Sequence, residues 1–333
     1  MTRGLRFATD EEPGIRRNGA KRFRYVDEAT QEIVKDSETL ARIRAIAVPP
    51  AWTDVWINAD PDGHIQATGR DARGRKQYRY HTEFRAQRER TKFDELTAFG
   101  EHLGCLRRTL DEDLVGTGLT HERVVALVVS LLECTHIRVG NECYVAANGT
   151  YGLTTLRSRH VTVRGSTVRI KFAGKGGRRH DVAVTDRRIG RLVRACQDLP
   201  GQSLFRWEDD DGVLRSVTST EVNDYLRRNT GLDVTAKTFR TWGATLLAAS
   251  GFAVLPQPTT TRRRNACVKA VVEVVAEELG NTPTVARNSY IHPTVFAAYE
   301  DGALHDVWDN GPRRARGGLI AEERRLLRLL SSA

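Results

Sequence analysis

The alternation of hydrophobic and polar positions along the chain changes its period once, near Ala86 to Arg90. Before that point, short alternating segments such as "WTDVWINADPDGHIQATGRD" (52–71) are separated by Asp-Gly, Asp-Pro and Gly turn signals, a pattern typical of strands. From Thr82 the segment "TEFRAQRERTKFDEL" is helical in period and strongly charged. The pattern predicts a β-rich domain over residues 1–88 and a mainly helical domain over residues 89–333.

Within the larger domain, one helix and one small sheet are predicted most clearly. The segment "THERVVALVVSLLECTHIRVG" (120–140) is apolar on nearly every side, which predicts a buried helix with Thr120 as its N-cap and Gly140 as its stop. Residues 160–184 instead alternate between Gly-Ser and Gly-Lys-Gly-Gly turns, which predicts a three-stranded antiparallel sheet. Further helical patterns cover 219–229, 235–249 and 263–279. The predicted fold class is therefore α+β.

The last part of the chain carries two further helix signals. In "LGNTPTVARNSYIHP" (279–293) the order Asn281, Thr282, Pro283 predicts a short helix with Asn281 as its N-cap and Pro at its first positions. The tail "GPRRARGGLIAEERRLLRLL" begins as a Pro/Gly/Arg linker and ends as a basic amphipathic helix over 319–330. The pattern does not determine what this tail helix contacts.

The charge of the chain says more about its partner than its overall composition does. The chain of 333 residues has 52 Lys and Arg against 42 Asp and Glu, a net charge of +10, which favours a polyanionic partner. Between Thr155 and His180 there are eight basic residues and no acidic one, and between Gly69 and Arg90 there are eight basic residues interleaved with Tyr78 and Tyr80. A solvated basic face explains any one cluster. Together with two more basic clusters, at 261–265 and in the tail, these clusters favour a nucleic acid as the partner.

Several functional classes are disfavoured. The five cysteines include no C-x-x-C pair, and their odd number argues against a secreted disulfide framework. No His/Cys cluster has the spacing of a zinc site, so no metal is predicted. The first twenty residues are polar and no apolar run reaches membrane-spanning length, so we expect neither a signal peptide nor a membrane partner. These features predict a cytoplasmic protein.

Four short stretches of the larger domain carry side chains suited to phosphodiester chemistry. They are "THIRVGN" with Arg138, "KFAGKGG" with Lys175, "AKTFRTWGATLL" with Arg240, and "LGNTPTVARNSY" with Asn281 and Tyr290. Guanidinium groups match the non-bridging oxygens of an attacked phosphate, and nearby cations favour the phenolate of a tyrosine. A lysine on a glycine turn is a reasonable proton donor to a leaving oxygen. Each residue alone also has an ordinary structural explanation.

In their order and spacing, these stretches resemble the type IB DNA topoisomerases, specifically the compact poxvirus-like branch found in bacteria. The resemblance extends over most of the chain, and its most specific signals are "GRKQY" and "LTTLRSRHV". It implies a tyrosine recombinase/topoisomerase IB-like fold, in which a β-rich N-terminal cap and a helical catalytic domain form a monomeric clamp around duplex DNA.

The resemblance also implies a role for each residue of the catalytic set. Arg138 and Arg240 would bind the scissile phosphate, Lys175 would act as the general acid, and Tyr290 would form a 3′-phosphotyrosyl bond. Many members of the family have histidine where this chain has Asn281. An amide can donate to the same phosphate oxygen but cannot become cationic, so the cost is expected in rate rather than in mechanism.

The expected DNA contacts lie mainly in the smaller domain. Arg75, Gln77, Tyr78 and Tyr80 match its DNA-contacting segment, and Tyr144 matches a contact from the catalytic domain. The implied activity is relaxation of supercoiled DNA in the bacterial nucleoid, with neither ATP nor a metal as cofactor. Two alternatives are a tyrosine site-specific recombinase, against which the β-rich module argues, and a non-catalytic DNA-binding protein.

Overall fold

A computed structural model describes residues 4–19, 22–72, 74–142, 145–146 and 149–332. The chain divides into two units, Met1–Lys92 (unit 1) and Phe93–Ala333 (unit 2). Unit 1 is built on a β-sheet, and unit 2 is mainly helical with a second, smaller β-sheet. The predicted α+β class is confirmed.

Unit 1 is a five-stranded antiparallel sheet with one short helix. The strand order is β2-β1-β3-β4-β5. The strands are β1 (Ile15–Asn18), β2 (Arg24–Asp27), β3 (Thr53–Ile57), β4 (Ile65–Arg70) and β5 (Lys76–Tyr80). The helix α1 (Ser37–Ile46), which the strand pattern did not predict, has Asp36 as its N-cap and buries Ile43 in the core of this unit. Along β5, exposed and half-buried residues alternate, with Lys76, Tyr78 and Tyr80 exposed.

Unit 2 is organised around the buried helix α3. The helix α2 (Thr82–Asp113) begins in unit 1 and continues through unit 2. The longer α-helices that follow in this unit are α3 (His121–Thr135), α4 (Arg187–Asp198), α5 (Ser219–Thr230), α6 (Ala236–Ala253), α7 (Thr261–Glu278), α8 (Pro283–Ser289), α9 (Pro293–Asp301), α10 (Ala303–Asn310) and α11 (Ala321–Ser331). None of the described helices is both long and apolar enough to cross a bilayer.

The N-terminal end of α3 agrees with the prediction and its C-terminal end does not. The Thr120 side chain accepts a hydrogen bond from the Arg123 N–H, as expected of an N-cap. The helix ends at His136, which has φ 50° and lies in the left-handed region, four residues before the predicted stop at Gly140. Beyond His136 the chain leaves the helix, and the carbonyl of Arg138 accepts from the Leu153 N–H at 2.9 Å. This early exit places Arg138 outside the helix.

The small antiparallel sheet over 160–184 is confirmed. Its strands are β6 (Val161–Arg164), β7 (Thr167–Ala173) and β8 (Arg179–Thr185), in the order β6-β7-β8. A separate two-stranded ribbon joins β9 (Arg206–Glu208) and β10 (Leu214–Ser216). The β7–β8 connection is the turn Lys175–Gly177, in which Gly176 and Gly177 both have φ 76°. A left-handed backbone of this kind favours glycine, which explains the Gly-Gly pair after Lys175.

The C-terminal tail packs as part of the unit 2 core. Leu326, Leu329 and Leu330 of α11 are buried. Glu323, at 3% exposure, accepts two hydrogen bonds of 2.8 Å from the guanidinium of Arg107 on α2. The helix at 319–330 is confirmed, and its apolar face covers the core, as expected of an amphipathic surface helix.

Candidate active site

Tyr290 lies immediately after α8, where it is the C-cap residue. Its N–H donates to the Ala286 carbonyl at 3.1 Å, and the Thr245 hydroxyl of α6 donates to its carbonyl at 3.2 Å. The residue is 8% exposed. Its ring centroid lies 5.2 Å from Cζ of Arg240 and 5.8 Å from Nζ of Lys237. The backbone of Tyr290 is therefore hydrogen-bonded through both its N–H and its carbonyl, and its ring faces two cations.

Arg240 is a buried cation anchored on backbone. It lies on α6 at 3% exposure, and its guanidinium donates to the carbonyl of His136, at the end of α3, and to that of Leu279, after α7, at 2.7 Å. Its Nε has no hydrogen-bond acceptor among the described residues. Burial, together with the charge of Arg138, lowers the pKa of Arg240 to about 10. The group is still protonated at neutral pH and keeps one donor unused.

Arg138 and Asn281 form the second half of the cluster. Nη2 of the half-buried Arg138 donates to Oδ1 of Asn281 at 2.5 Å. Asn281 is 6% exposed, and its Nδ2 has no hydrogen-bond partner within the described part of the chain. A buried donor without a partner costs about 1–3 kcal/mol. An anion that accepts from this amide would remove that cost.

Asn281 is not the helix cap that the sequence suggested. The N-cap of α8 is Thr282, whose hydroxyl accepts from the Val285 N–H at 3.3 Å, with Pro283 as the first helical residue. The backbone N–H of Asn281 donates to the Ala276 carbonyl at 2.8 Å. Because Thr282 satisfies the helix end, the Asn281 amide is available to contact Arg138.

The charges around Tyr290 favour its phenolate. Burial raises the pKa of the Tyr290 phenol, but the positive charges of Arg240, Arg138 and Lys237 outweigh it, so the pKa lies below its ordinary value. Opposite charge at this range stabilises the ionised form. The cluster therefore stabilises the ionised form of the phenol and offers donors for an anion beside it.

Lys175 lies apart from the other four predicted catalytic residues. It is exposed on the Lys175–Gly177 turn, and none of the contacts among described residues joins it to Arg138, Arg240, Asn281 or Tyr290. The link is indirect, through the half-buried His180 of β8. A Cβ atom at Gly174 would lie 2.7 Å from the His180 ring, and one at Gly280 would lie 3.1 Å from it. The base of the hairpin that carries Lys175 thus packs beside Asn281.

Two residues of the site were not predicted. Burial, followed by the charges of Arg138, Arg240 and Arg178, lowers the pKa of His180, which favours a neutral ring beside the cluster. Lys237 stands three residues before Arg240 on α6. That spacing puts both on one helix face, so it was a signal in the sequence that could have identified Lys237. For His180 no comparable signal exists.

The predicted DNA contacts of unit 1 fall into two kinds. Arg75 and Gln77 both donate to the Asp71 carboxylate, at 2.8 and 3.0 Å. Tyr78 and Tyr80 are each 42% exposed and stack with an interplanar angle of 9° and centroids 5.9 Å apart. Tyr144, the contact predicted from the catalytic domain, lies outside the described residues.

The two tyrosines belong to a longer row of rings. The ring centroid of Phe84 lies 5.6 Å from that of Tyr80. The ring centroid of Phe7, which is 76% exposed, lies 6.0 Å from that of Phe84. Nζ of Lys76 lies 5.6 Å from the Tyr78 ring. An exposed aromatic row beside cations is an arrangement suited to bases and phosphates.

Comparison with known proteins identifies the family. Residues 81–306 match the model of the "Eukaryotic DNA topoisomerase I, catalytic core", and residues 22–71 match the "Bacterial DNA topoisomerase IB, N-terminal domain". The DNA topoisomerase 1B of Acanthamoeba polyphaga mimivirus is 29% identical over 286 residues, which cover 84% of each chain. The DNA topoisomerase 1B of vaccinia virus (strain Copenhagen) is 22% identical over 247 residues, covering 72% of this chain and 74% of the viral one.

Among solved structures, the XerH site-specific recombinase bound to difH substrate is 17% identical with a TM-score of 0.39, and the match covers 61% of this chain and 52% of that one.

The family-model match over 81–306 spans more than half of the chain. This protein belongs to the type IB DNA topoisomerases and combines their catalytic core with the N-terminal domain of the bacterial enzymes.

Proposed function

We propose that this enzyme relaxes supercoiled duplex DNA by cutting and resealing one strand through Tyr290. The phenolate oxygen attacks a backbone phosphorus, a 3′-phosphotyrosyl bond forms, and the bond from phosphorus to the 5′-oxygen breaks. The cut strand swivels, and the 5′-hydroxyl then attacks the phosphotyrosyl phosphorus and releases the phenol. One phosphodiester replaces another in each step, so the reaction needs no ATP or other energy source.

The observation that carries this proposal is a buried phenol whose ring faces the cationic groups of Arg240 and Lys237. Arg240, Arg138 and Lys237 hold the pKa of Tyr290 below its ordinary value against the effect of burial. Nε of Arg240 and Nδ2 of Asn281 are buried donors without acceptors among the described residues. Donors that are fixed before the reaction stabilise the charge that develops on the non-bridging oxygens.

We propose Lys175 as the donor of the proton that the 5′-oxygen takes up on leaving. Its exposed turn of two left-handed glycines presents the ammonium group without neighbouring bulk, and His180 packs the base of the hairpin beside Gly280. A group that protonates the leaving oxygen is required because an alkoxide is a poor leaving group.

Unit 1 is proposed to contribute DNA contacts, with the monomer closing as a clamp around the duplex. The exposed stack of Tyr78 and Tyr80 beside Lys76 supports this role. Arg75 and Gln77 would contact DNA once they exchange the Asp71 carboxylate for DNA groups. The bacterial-type N-terminal domain over 22–71 supports action at a bacterial nucleoid.

The test of the proposed function is relaxation of a negatively supercoiled plasmid in EDTA without ATP, followed by gel electrophoresis. Denaturation during the reaction should trap protein on the 3′ end of the cut strand and leave a free 5′-hydroxyl. Joining of two specific sites without relaxation would instead indicate a recombinase. DNA binding with neither relaxation nor a covalent adduct would indicate a non-catalytic protein.

The Asn281 amide is expected to contribute to rate and not to stability. Asn281→Ala removes a donor to the phosphate and the partner of Arg138, so single-turnover cleavage of a defined duplex should slow by about ten- to a hundredfold. Thr282→Ala is the matched control one residue away. It removes the N-cap of α8 and should lower the free energy of unfolding by about 1 kcal/mol with little change in cleavage. An unchanged cleavage rate in Asn281→Ala would remove this residue from the site.

Lys237 is expected to set the pH dependence of cleavage. Its charge lowers the pKa of the Tyr290 phenol, so Lys237→Met should raise that pKa. The rising limb of the rate, which follows ionisation of the phenol, should then move to higher pH, and raising the pH should restore part of the lost rate. The measurement is single-turnover cleavage from pH 6 to 10, with Lys269→Met, an exposed lysine of α7, as the control. A uniform loss of rate at every pH would contradict the proposed effect on ionisation.

A further inference from the structure

A cavity of about 450 Å³ lies in unit 2 beside the residues that anchor Arg240. Its walls come from α3, α6, α7, α11 and the part of α2 around Arg107. A volume of this size is in the range of small-molecule sites. The proposed mechanism uses none of the side chains that line it.

The lining combines apolar walls with an excess of negative charge. Phe239, Trp242, Leu246 and Leu247 of α6 form the apolar part. Val274 and Ile320, which are 56% and 48% exposed, also line it, so the cavity opens to solvent along an apolar edge.

The polar lining carries four carboxylates, which are Glu133, Glu278, Glu322 and Glu323, against the single guanidinium of Arg107. Burial and the charge of Arg240 lower the pKa of His136 to about 4, so its ring is neutral. With all four carboxylates counted as ionised, the formal charge of the lining is −3 in a protein whose net charge is +10, and burial raises the pKa of one of them, Glu133.

Only part of this negative charge is neutralised within the protein. Arg107 donates to Glu133 at 2.5 Å and to both oxygens of Glu323 at 2.8 Å. The side chains of Glu278 and Glu322 have no ion pair or hydrogen bond with any residue that the structure describes. Two carboxylates at the edge of an apolar cavity are complementary to a cationic group attached to an apolar body.

The cavity also adjoins the anchor of Arg240. The carbonyls that accept from the Arg240 guanidinium belong to His136 and Leu279, and both residues line the cavity. The His136 ring packs against Gly243, where a Cβ atom would overlap it. A ligand that moves either residue would therefore move an acceptor of the arginine that is proposed to bind the scissile phosphate.

We propose that this cavity binds a small organic ammonium ion with an apolar body, and that the bound ion displaces the backbone that holds Arg240 and slows strand cleavage. The ammonium group would lie between Glu278 and Glu322, and the apolar body would lie against α6. The binding site stands on the cavity alone, whereas the effect on cleavage rests on the proposed function.

Binding is tested with 4-phenylbutylammonium in a ligand-observed NMR titration. Two comparison ligands separate its features: 4-phenylbutan-1-ol lacks the charge and spermidine lacks the apolar body. Each should bind at least about tenfold more weakly. The double variant Glu278→Gln/Glu322→Gln should weaken ammonium binding to the same extent, and Glu277→Gln, an exposed neighbour on α7, should not. Equal binding of the alcohol, or binding that survives the double variant, would overturn the site.

The location of the bound ligand is tested by filling the cavity with a larger side chain. Ser250→Phe should abolish binding and Ser250→Ala should preserve it, since Ser250 lines the cavity on α6. Persistent binding in a folded Ser250→Phe protein would place the ligand elsewhere.

The coupling between ligand binding and Arg240 is tested without measuring activity, through the NMR signal of the Arg240 Nε–H group. We expect this signal to shift when 4-phenylbutylammonium binds to the wild type and to stay fixed in Ser250→Phe. In single-turnover cleavage the same ligand should slow the wild type several-fold. Spermidine, which also binds DNA, should not slow it at equal concentration.

A bound ligand with no shift of the Nε–H signal would overturn the coupling. A wild type that cleaves no DNA in any condition would refute the proposed function, while the NMR results would still decide on the site.

Discussion

Replacing Tyr290 by phenylalanine should abolish strand cleavage and plasmid relaxation while leaving DNA binding intact. The substitution removes only the phenolic oxygen, which is the atom proposed to bond to phosphorus. Loss of a covalent nucleophile costs an enzyme several orders of magnitude in rate, and we expect a fall of at least about 10⁴-fold. The measurement is single-turnover formation of the covalent adduct, with duplex binding measured separately.

The fold should tolerate this change. The change removes the side-chain hydrogen bond between Tyr290 and Arg240. It keeps the bond from the Thr245 hydroxyl to the backbone carbonyl of residue 290, and a phenylalanine ring keeps the faces that Arg240 and Lys237 approach. Tyr299→Phe is the matched control, since the Tyr299 hydroxyl donates to the Pro256 carbonyl at 3.1 Å and has no proposed part in cleavage. Relaxation by Tyr290→Phe would mean that another group is the nucleophile.

The second large effect is expected for Arg240→Lys. Lysine keeps the positive charge near Tyr290 but cannot bond to two carbonyls and the phosphate in the geometry of the guanidinium fork. We expect cleavage to fall by about 10²–10³-fold, the scale of losing one fixed donor to the transition state. One buried carbonyl, of His136 or Leu279, should also lose its partner and lower the free energy of unfolding by about 1–3 kcal/mol.

Two comparisons separate charge from geometry at this position. Arg240→Ala removes the charge as well, so the pKa of Tyr290 should rise and the remaining activity should move to higher pH. Arg227→Lys alters an exposed arginine that pairs with Asp224 and Asp233 and should change neither rate nor stability appreciably. If Arg240→Lys cleaves DNA within a few-fold of the wild-type rate, charge alone is sufficient there.

Local sequence rules predicted elements where one interaction dominates. The apolar segment after Thr120 forms α3, and the alternating segment with glycine turns forms the β6–β8 sheet. The rules failed where two residues close together in the sequence are both suited to one role. Thr282 rather than Asn281 caps α8, and His136 ends α3 although Gly140 is the better left-handed residue. In the second case, the carbonyls of Arg138 and Val139 accept from the N–H groups of Leu153 and Thr154 instead of continuing the helix.

The candidate site was less accessible from the sequence than the fold. Arg138, Arg240 and Tyr290 are far apart along the chain, and no periodicity connects them, so their association was predicted only from the resemblance. The backbone anchors of Arg240 depend on where α3 and α7 end, which is a tertiary property. Lys237 could have been inferred from its helical spacing to Arg240, whereas His180 reaches the site only through the packing of its strand between two glycines.

The anchoring of Arg240 on two backbone carbonyls has an evolutionary consequence. Every residue type supplies a carbonyl, so the side chains at positions 136 and 279 can change without removing the groups that hold the arginine. Both residues line the cavity. A change of side chain at either position would therefore alter the chemistry of that cavity while leaving both carbonyl acceptors of Arg240 in place.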